Sequence, residues 1–201
     1  MKEILITSNS LKKFEQTYFS IDSNWFEYFS EYKVVPLPNN IQQLNNYIKS
    51  TSTAALVLSG GGDILKNNLA GDGFDKNREE VEEFLIDYSI VNSIPLIAVC
   101  RGMQKVLTHL DENIDFVINR ISIKEKYEIN QSNRSSKSKR TCFNNYSIPY
   151  KKQIEKSWEI LEIDKNNNLL CIKHKKYKIL CFMWHPERDS TDFDIISTFI
   201  N

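Results

Sequence analysis

Pro95-Leu-Ile-Ala-Val-Cys100-Arg-Gly-Met-Gln104 is the stretch on which the reading of this 201-residue chain turns. Pro95 to Val99 is short and wholly apolar, as a strand buried on both faces of a parallel sheet must be. Cys100 follows without a break, and Gly102 stands two residues later, where a tight turn needs a residue free of Cβ clashes. Met103 to Leu110 reads as a helix. Buried strand, sharp turn with a nucleophile, then helix is the order of a nucleophile elbow, here with a thiol instead of a hydroxyl. A thiol at a helix N-terminus sits at the positive end of the helix dipole, which favours thiolate. Taken alone, the run reads equally well as a structural cysteine closing a core strand, since cysteine is often buried.

Upstream of it the chain alternates strand and helix. Glu3 to Thr7 is a first buried strand. Leu11 to Tyr32, with Phe14, Tyr18, Phe19, Trp25, Phe26, Tyr28 and Phe29, is expected to form a helix or helix pair on the sheet; its aromatics are candidates for a ligand platform, but packing is the favoured reading because large aromatics dominate cores. Lys33 to Leu37 is a second strand, and Ile41, Leu44, Tyr47 and Ile48 recur at helical spacing. Ala54 to Leu58 is a third strand that runs straight into Ser59-Gly60-Gly61-Gly62-Asp63. Three consecutive glycines cost backbone entropy, so this loop needs unusual geometry or close approach. It is no phosphate loop, because no Gly-Lys-Ser/Thr follows and the G-x-G-x-x-G spacing is absent. A tight structural turn and a bare loop facing a reacting carbonyl oxygen both remain open. Asn67 to Asn77 reads as a flexible loop. Asp75 to Val91 reads as a helix with Val81, Phe84, Leu85 and Tyr88 on one face and Arg78, Glu79, Glu80, Glu82 and Glu83 elsewhere.

Beyond the elbow, Phe116 to Ile123 is another expected strand. Lys124 to Arg140 is a polar, basic loop, with Lys124, Lys126, Arg134, Lys137, Lys139 and Arg140 against Glu125 and Glu128. Trp158 to Ile163, Leu169 to Lys173 and Ile179 to Trp184 read as three consecutive antiparallel strands, and Thr191 to Ile200 as a C-terminal helix. The whole is an α/β chain: one domain spanning residues 1–201, a doubly wound, mainly parallel sheet flanked by helices, with an antiparallel extension toward the C-terminus. In such sheets the active site lies beyond the carboxyl ends of the strands.

Lysine plus arginine equal aspartate plus glutamate at 26 each, so no global field draws the chain to nucleic acid or to a membrane. No apolar stretch approaches the ~20 residues of a membrane span, and the N-terminus lacks the apolar core of a signal peptide. The four cysteines (Cys100, Cys142, Cys171 and Cys181) are widely spaced with no C-x-x-C pattern. Free thiols in a reducing cytoplasm are therefore expected.

Three histidines are available. His109 lies turns away from the elbow, in a surface or packing position, and His174 sits in a lysine-rich turn exposed to solvent. His185 follows a buried strand, is fixed by Pro186, and has Glu187 two residues on. In extended chain, residues i and i+2 point the same way, so the carboxylate can reach the imidazole. A base oriented by a carboxylate is what nucleophilic catalysis requires.

Pro95 to Gln104, Trp184-His-Pro-Glu187 and Leu58-Ser-Gly-Gly-Gly-Asp63 resemble the class I glutamine amidotransferase superfamily over essentially the whole chain. Arg78-Glu79-x-x-Glu82 and Ala98-Val-Cys-Arg-Gly-Met-Gln104 look closer to its γ-glutamyl hydrolase branch. Nearest within it are bacterial hydrolases acting on a γ-glutamyl nucleotide amidate in capsule assembly. The resemblance implies Cys100 as nucleophile, His185 as general base and acid, and Glu187 as its orienting partner. It implies an oxyanion hole from the backbone N–H of Gly61 or Gly60 and of Arg101, with Gln104 holding the glutamyl group. Ala98 stands where the family commonly has glycine. Cys142-Phe-Asn-Asn145 falls where relatives carry Ser-x-His, which puts Asn144 in place of the histidine and alters substrate recognition there; Cys142 itself is read as packing or a site wall. Arg101, Arg188, Lys173 to Lys178 and the Lys124 to Arg140 loop are candidates to neutralise phosphate. The partner implied is a small γ-glutamyl substrate, nucleotide-linked in the nearest relatives. No metal or organic cofactor is required, and a homodimer is left open. A glutaminase subunit feeding ammonia to a synthetase, and a non-catalytic regulatory relative, are the competing readings.

Overall fold

The computed structural model describes residues 2–64, 74–110, 117–118, 126–129, 138–142, 144, 146–189 and 192–201. The chain opens with β1 (Glu3–Thr7) and then turns back on itself as β2 (Asn9–Lys13) and β3 (Gln16–Ser20). A short α1 (Asn24–Tyr28), β4 (Lys33–Leu37), α2 (Ile41–Ile48) and β5 (Thr53–Leu58) follow. Next come α3 (Lys76–Asn92), β6 (Leu96–Val99) and α4 (Arg101–Leu110). Two small ribbons are made by β7 (Val117–Ile118) with β10 (Tyr146–Ser147), and by β8 (Lys126–Ile129) with β9 (Ser138–Thr141). The chain ends with β11 (Trp158–Ile163), β12 (Leu169–His174), β13 (Ile179–Phe182), α5 (Pro186–Asp189) and α6 (Phe193–Ile200).

Seven strands form one sheet in the order β11-β12-β13-β6-β5-β1-β4. β4, β1, β5, β6 and β13 run parallel, while β12 is antiparallel to both β13 and β11. The expected hairpin pairing of the last three strands therefore holds. Its last member also pairs in parallel with the elbow strand, which puts the chain after β13 on the same sheet edge as Cys100. The central strands are fully buried: Ala55 to Leu58 and Leu96 to Val99 expose nothing to solvent. This fits apolar runs covered on both faces by helices.

The longer helices begin for local reasons. Asn40 accepts from Gln43 N–H at 3.0 Å to cap α2, and Asp75 accepts from Asn77 and Arg78 N–H at 2.9 and 3.2 Å to cap α3. Asp75 also accepts from Ser10 Oγ and Asn39 Nδ2, so one carboxylate ties the β2–β3 hairpin to the helix. Burial opposes its charge, but these hydrogen bonds outweigh burial and hold it below the ordinary carboxylate range.

Three expectations change, and a fourth feature goes beyond the sequence pattern. Leu11 to Tyr32 is not a helix pair: Phe14 and Glu15 take φ of 52° and 61° and close a two-residue hairpin turn between β2 and β3. Two consecutive residues at positive φ match the right-handed twist of the strands they join. Only Trp25, Tyr28 and Phe29 of its aromatics are buried, with Trp25 and Phe29 stacked at 5.6 Å; Leu11, Phe14, Tyr18, Phe19 and Phe26 are exposed. Lys124 to Arg140 contains the β8–β9 ribbon rather than being loop throughout, because Lys126–Ile129 pairs with Ser138–Thr141. His174 is buried rather than solvated, its Nδ1 accepting from Lys176 and Tyr177 N–H at 3.0 and 2.9 Å in the turn that precedes β13. Burial, helped by the charge of Lys176, lowers its pKa. Arg78, Glu79 and Glu82, placed off the apolar face of their helix, are buried. Of the loop expected at 67–77, residues 67–73 lie outside the described residues, as does most of the strand at 116–123, while Lys76 and Asn77 already belong to α3. Among the described residues, no helix is long and apolar enough to cross a membrane.

Candidate active site

Four neighbouring parallel strands deliver the site residues to one edge. β13 leads to His185, β6 to Cys100, β5 to Ser59–Asp63, and β1 to Ser8 and Asn9. Cys100 takes φ of 52°, a left-handed conformation rare for a residue with a Cβ. Strain of this kind persists where the surroundings impose it. The imposing contacts are visible: Cys100 N–H donates to Phe182 O at 2.7 Å, and its carbonyl accepts from Gln104 N–H at 3.2 Å as α4 begins. Gly102 lies so close to β5 that a Cβ there would sit 2.3 Å from Leu58 O. The elbow is thus pinned between β13 and β5, and only glycine fits its second turn residue.

His185 and Glu187 are both buried, and His185 Nδ1 lies 2.6 Å from Glu187 Oε1. The contact forms from the first turn of α5, which starts at Pro186, and not from the extended chain expected. Burial works against charge on the imidazole. Hydrogen bonds to Cys100 and Glu187, and the charges of both, outweigh it and raise the ring's pKa from the ordinary 6.5 to about 9. Glu187 Oε2 is buried with no hydrogen-bond partner among the described residues.

The Gly60 loop lies against this pair. A Cβ on Gly60 would fall 2.4 Å from His185 Cε1 and 3.4 Å from Cys100 Cβ, and Gly61 takes φ of 85°. Gly60→Ala must therefore push the imidazole aside. We expect it to cost at least about 100-fold in kcat, the scale of a ~1 Å misplacement, with an unchanged far-ultraviolet spectrum. Full activity of the purified variant would show that the loop does not face the reacting group.

A cavity of about 210 Å³ opens in front of Cys100, lined among others by Gly60, Gly61, Arg101, Gln104, Asn144, His185 and Arg188. Gln104 Nε2 and Asn144 Nδ2 both donate to Tyr146 O, at 3.2 and 2.8 Å, so β10 joins the two amides at one wall. Asn144 Oδ1 is buried and unpartnered among the described residues. Arg188 Nε donates to Asp22 Oδ2 at 2.8 Å at the cavity wall, and β9 of the basic ribbon lies beside α5. Asp22, Trp25 and Asn9 also line the cavity, and none stands out as a site residue in the sequence.

Two phosphate candidates are redirected by the structure. Lys173 to Lys178 line a different cavity, between β12–β13 and α6. The Arg101 side chain points back into the protein, donating to Glu79, Glu82 and the Asp63 carbonyl. Its own backbone N–H, at the start of α4, has no partner among the described residues.

Behind the loop and the elbow lies a buried ionic cluster that the sequence pattern does not reveal. Arg78 Nε donates to Glu82 at 2.8 Å, Arg101 bonds Glu82 and Glu79, and Lys105 bonds Glu79 and, at 2.7 Å, Glu83. Burial pulls the Arg78 pKa down to about 10, which leaves it charged at neutral pH. No disulfide joins the four cysteines, all of them buried, and burial pushes the Cys181 thiol up. No group of three or more His, Cys, Asp or Glu side chains among the described residues could hold a metal.

Comparison with known proteins agrees with the sheet. The glutamine amidotransferase class-I family matches residues 15–200. The γ-glutamyl-CDP-amidate hydrolase of Campylobacter jejuni is 28% identical over 155 residues, covering 77% of this chain and 72% of that protein. A GMP synthase-like protein of Thermoplasma acidophilum superposes with a TM-score of 0.69 at 18% identity, over 100% of this chain and 92% of the other. A Thermotoga maritima glutamine amidotransferase gives 0.61 at 10% identity, over 100% and 90%. These structures share the fold, and the hydrolase relative together with the family match supports an amide-hydrolysing enzyme. The chain belongs to the class I glutamine amidotransferase family.

Proposed function

We propose that this protein hydrolyses a γ-glutamyl amide through Cys100, His185 and Glu187. The observation that carries the reading is a cysteine held in a left-handed turn on the same cavity as His185, whose imidazole Glu187 grips at 2.6 Å. Cys100 thiolate attacks the γ-carbonyl carbon, and the oxygen takes negative charge facing the N–H groups of the Gly60 loop and Arg101. The C–N bond breaks as His185 imidazolium gives its proton to the leaving nitrogen, and a γ-glutamyl thioester remains. Water, deprotonated by the now neutral His185, attacks the thioester, and glutamate leaves as the thiolate returns.

The substrate best supported is γ-glutamyl-CDP-amidate, which would yield cytidine diphosphoramidate, a compound suited to capsule decoration in a bacterial cytoplasm. Two observations favour it: the likeness to the Campylobacter jejuni hydrolase, and Arg188 with the basic ribbon on the His185 side, where the leaving group must depart. The deciding measurement is glutamate release from γ-glutamyl-CDP-amidate beside glutamine. A marked preference for the former is expected, and equal kcat/KM would overturn the nucleotide assignment.

The alkaline limb of kcat/KM is a second check. His185 must be protonated to release the amine, so activity falls as pH rises through about 9. Glu187→Gln removes a partner that holds that proton, and the limb is expected to move toward the ordinary 6.5. A limb unmoved in the variant would remove Glu187 from this role.

The β2–β3 hairpin favours a second reading, a glutaminase subunit serving a synthetase. It exposes Leu11, Phe14, Tyr18 and Phe19 on the site edge, Phe14 to 79%. Hydrolysis of glutamine only when a partner enzyme is added would establish that reading in place of the first.

A further inference from the structure

We propose that Arg78 is the positioning residue of the oxyanion loop, its guanidinium drawing three successive loop carbonyls to one side so that their N–H groups face the reacting carbonyl. The inference rests on the hydrolase reading above. It absorbs the Arg78-Glu79-x-x-Glu82 motif, which the mechanism itself leaves unused.

Arg78 Nη2 donates to Ser59 O at 2.7 Å and to Gly60 O at 3.3 Å, and Nη1 donates to Gly61 O at 2.8 Å. These peptide bonds are trans, and in a planar trans peptide the carbonyl and the following N–H point in opposite directions. Holding the carbonyls of Ser59, Gly60 and Gly61 against the guanidinium therefore turns the N–H groups of Gly60, Gly61 and Gly62 away from it. Among the described residues those three N–H groups have no hydrogen-bond partner. At Gly60 the loop meets His185 and Cys100, as the contacts of a Cβ there show.

The remaining contacts fix the guanidinium itself. Nε donates to Glu82, Nη1 also to Asn9 Oδ1, and Nη2 also to Ser59 Oγ at 3.1 Å. A guanidinium has five N–H donors in a planar fork, and here all three nitrogens are engaged on a side chain only 2% exposed. A lysine, with three donors on one atom, cannot span the same carbonyls. Arg78 does not line the cavity, so it acts through the loop and not on substrate.

The test compares wild type with Arg78→Lys on γ-glutamyl-p-nitroanilide, together with the rate at which iodoacetamide alkylates Cys100. Alkylation needs the thiolate but forms no oxyanion. We expect kcat to fall about 100-fold, the scale of one lost oxyanion donor, with KM within about twofold and alkylation unchanged. Unchanged kcat overturns the proposal, and so does a parallel fall in alkylation, which would mean that the whole site had collapsed. Should Arg78→Lys unfold, the Arg78→Gln/Glu82→Gln pair removes charge from both partners and is read the same way. Failure of that pair to fold also counts against the proposal, because loop positioning would then be inseparable from the fold. A wild-type protein that turns over no γ-glutamyl amide sinks the hydrolase reading instead, whatever Arg78 does.

Discussion

Cys100→Ser abolishes turnover of γ-glutamyl amides, with an expected loss in kcat on the order of 10⁶, as when the nucleophile of a comparable triad is removed. The size of the loss follows from the site's division of labour. In the proposed mechanism His185, Glu187 and the Gly60 loop serve a sulfur nucleophile at the elbow, and a serine hydroxyl there is a far weaker nucleophile. Cys100 is among the influences that hold the imidazole pKa near 9, so the substitution also lowers that pKa and leaves a smaller fraction of imidazolium to protonate the leaving nitrogen in the proposed mechanism. Fold should be retained, since sulfur and oxygen occupy the same turn and Cys100 is only 6% exposed. Acid-quenched mass spectrometry checks the intermediate: wild type gains the mass of one glutamyl group, mapped to Cys100, and the variant gains none. A glutamyl adduct on Cys142, or turnover surviving in Cys100→Ser, would displace Cys100 as nucleophile.

The elements legible in the sequence are those where burial and local pattern agree. β1, β5 and β6 are apolar runs closed by polar or glycine residues, and the elbow follows from Cys100 and Gly102 directly after one of them. The hairpin is illegible for a definite reason. Leu11, Phe14 and Tyr18 fall at i, i+3 and i+7, which fits a helix as well as anything, and the turn at Phe14-Glu15 lacks the Gly or Asn that usually marks positive φ. The sequence places Arg78, Glu79 and Glu82 off the apolar face of their helix and does not show that they are buried, because their ion-pair partners Arg101 and Lys105 lie on another helix. A signal is present: the apolar face of α3 is a narrow stripe, too thin for a helix packed between the sheet and α4 unless charged residues are buried too. Which strand β13 lies beside is equally hidden, since a short turn fixes its pairing with β12 and says nothing about β6. That parallel pairing is what brings His185 to Cys100.

Glu82→Ala should be the most damaging substitution away from the cavity, at roughly 3–5 kcal/mol of stability. Glu82 is fully buried and both its oxygens are used: Oε1 accepts from Arg78 Nε at 2.8 Å and Thr7 Oγ1 at 3.3 Å, and Oε2 accepts from Arg101. Burial opposes its charge, but Arg101 and Arg78 outweigh burial and hold its pKa below the ordinary carboxylate value. A depressed carboxylate contributes stability that is present above its unfolded value of about 4.5 and lost as pH falls through the folded one, so the contribution is complete at neutral pH. Removing the carboxylate leaves Arg78 without the acidic partner it holds in this buried site, while Arg101 keeps Glu79. For a chain of this size each kcal/mol moves Tm by about 2–4 °C, so a drop of roughly 6–20 °C is expected by calorimetry, with a matching fall in the urea midpoint. The exposed Lys76–Glu80 pair, on the same helix at 3.7 Å, supplies the control: Glu80→Ala should shift stability by less than about 1 kcal/mol. Equal effects at the two positions would mean that the buried cluster contributes no more than a surface pair. Because Glu82 joins the arginine that holds the Gly60 loop to the arginine that follows Cys100, its loss should also lower kcat at temperatures where the variant is still folded.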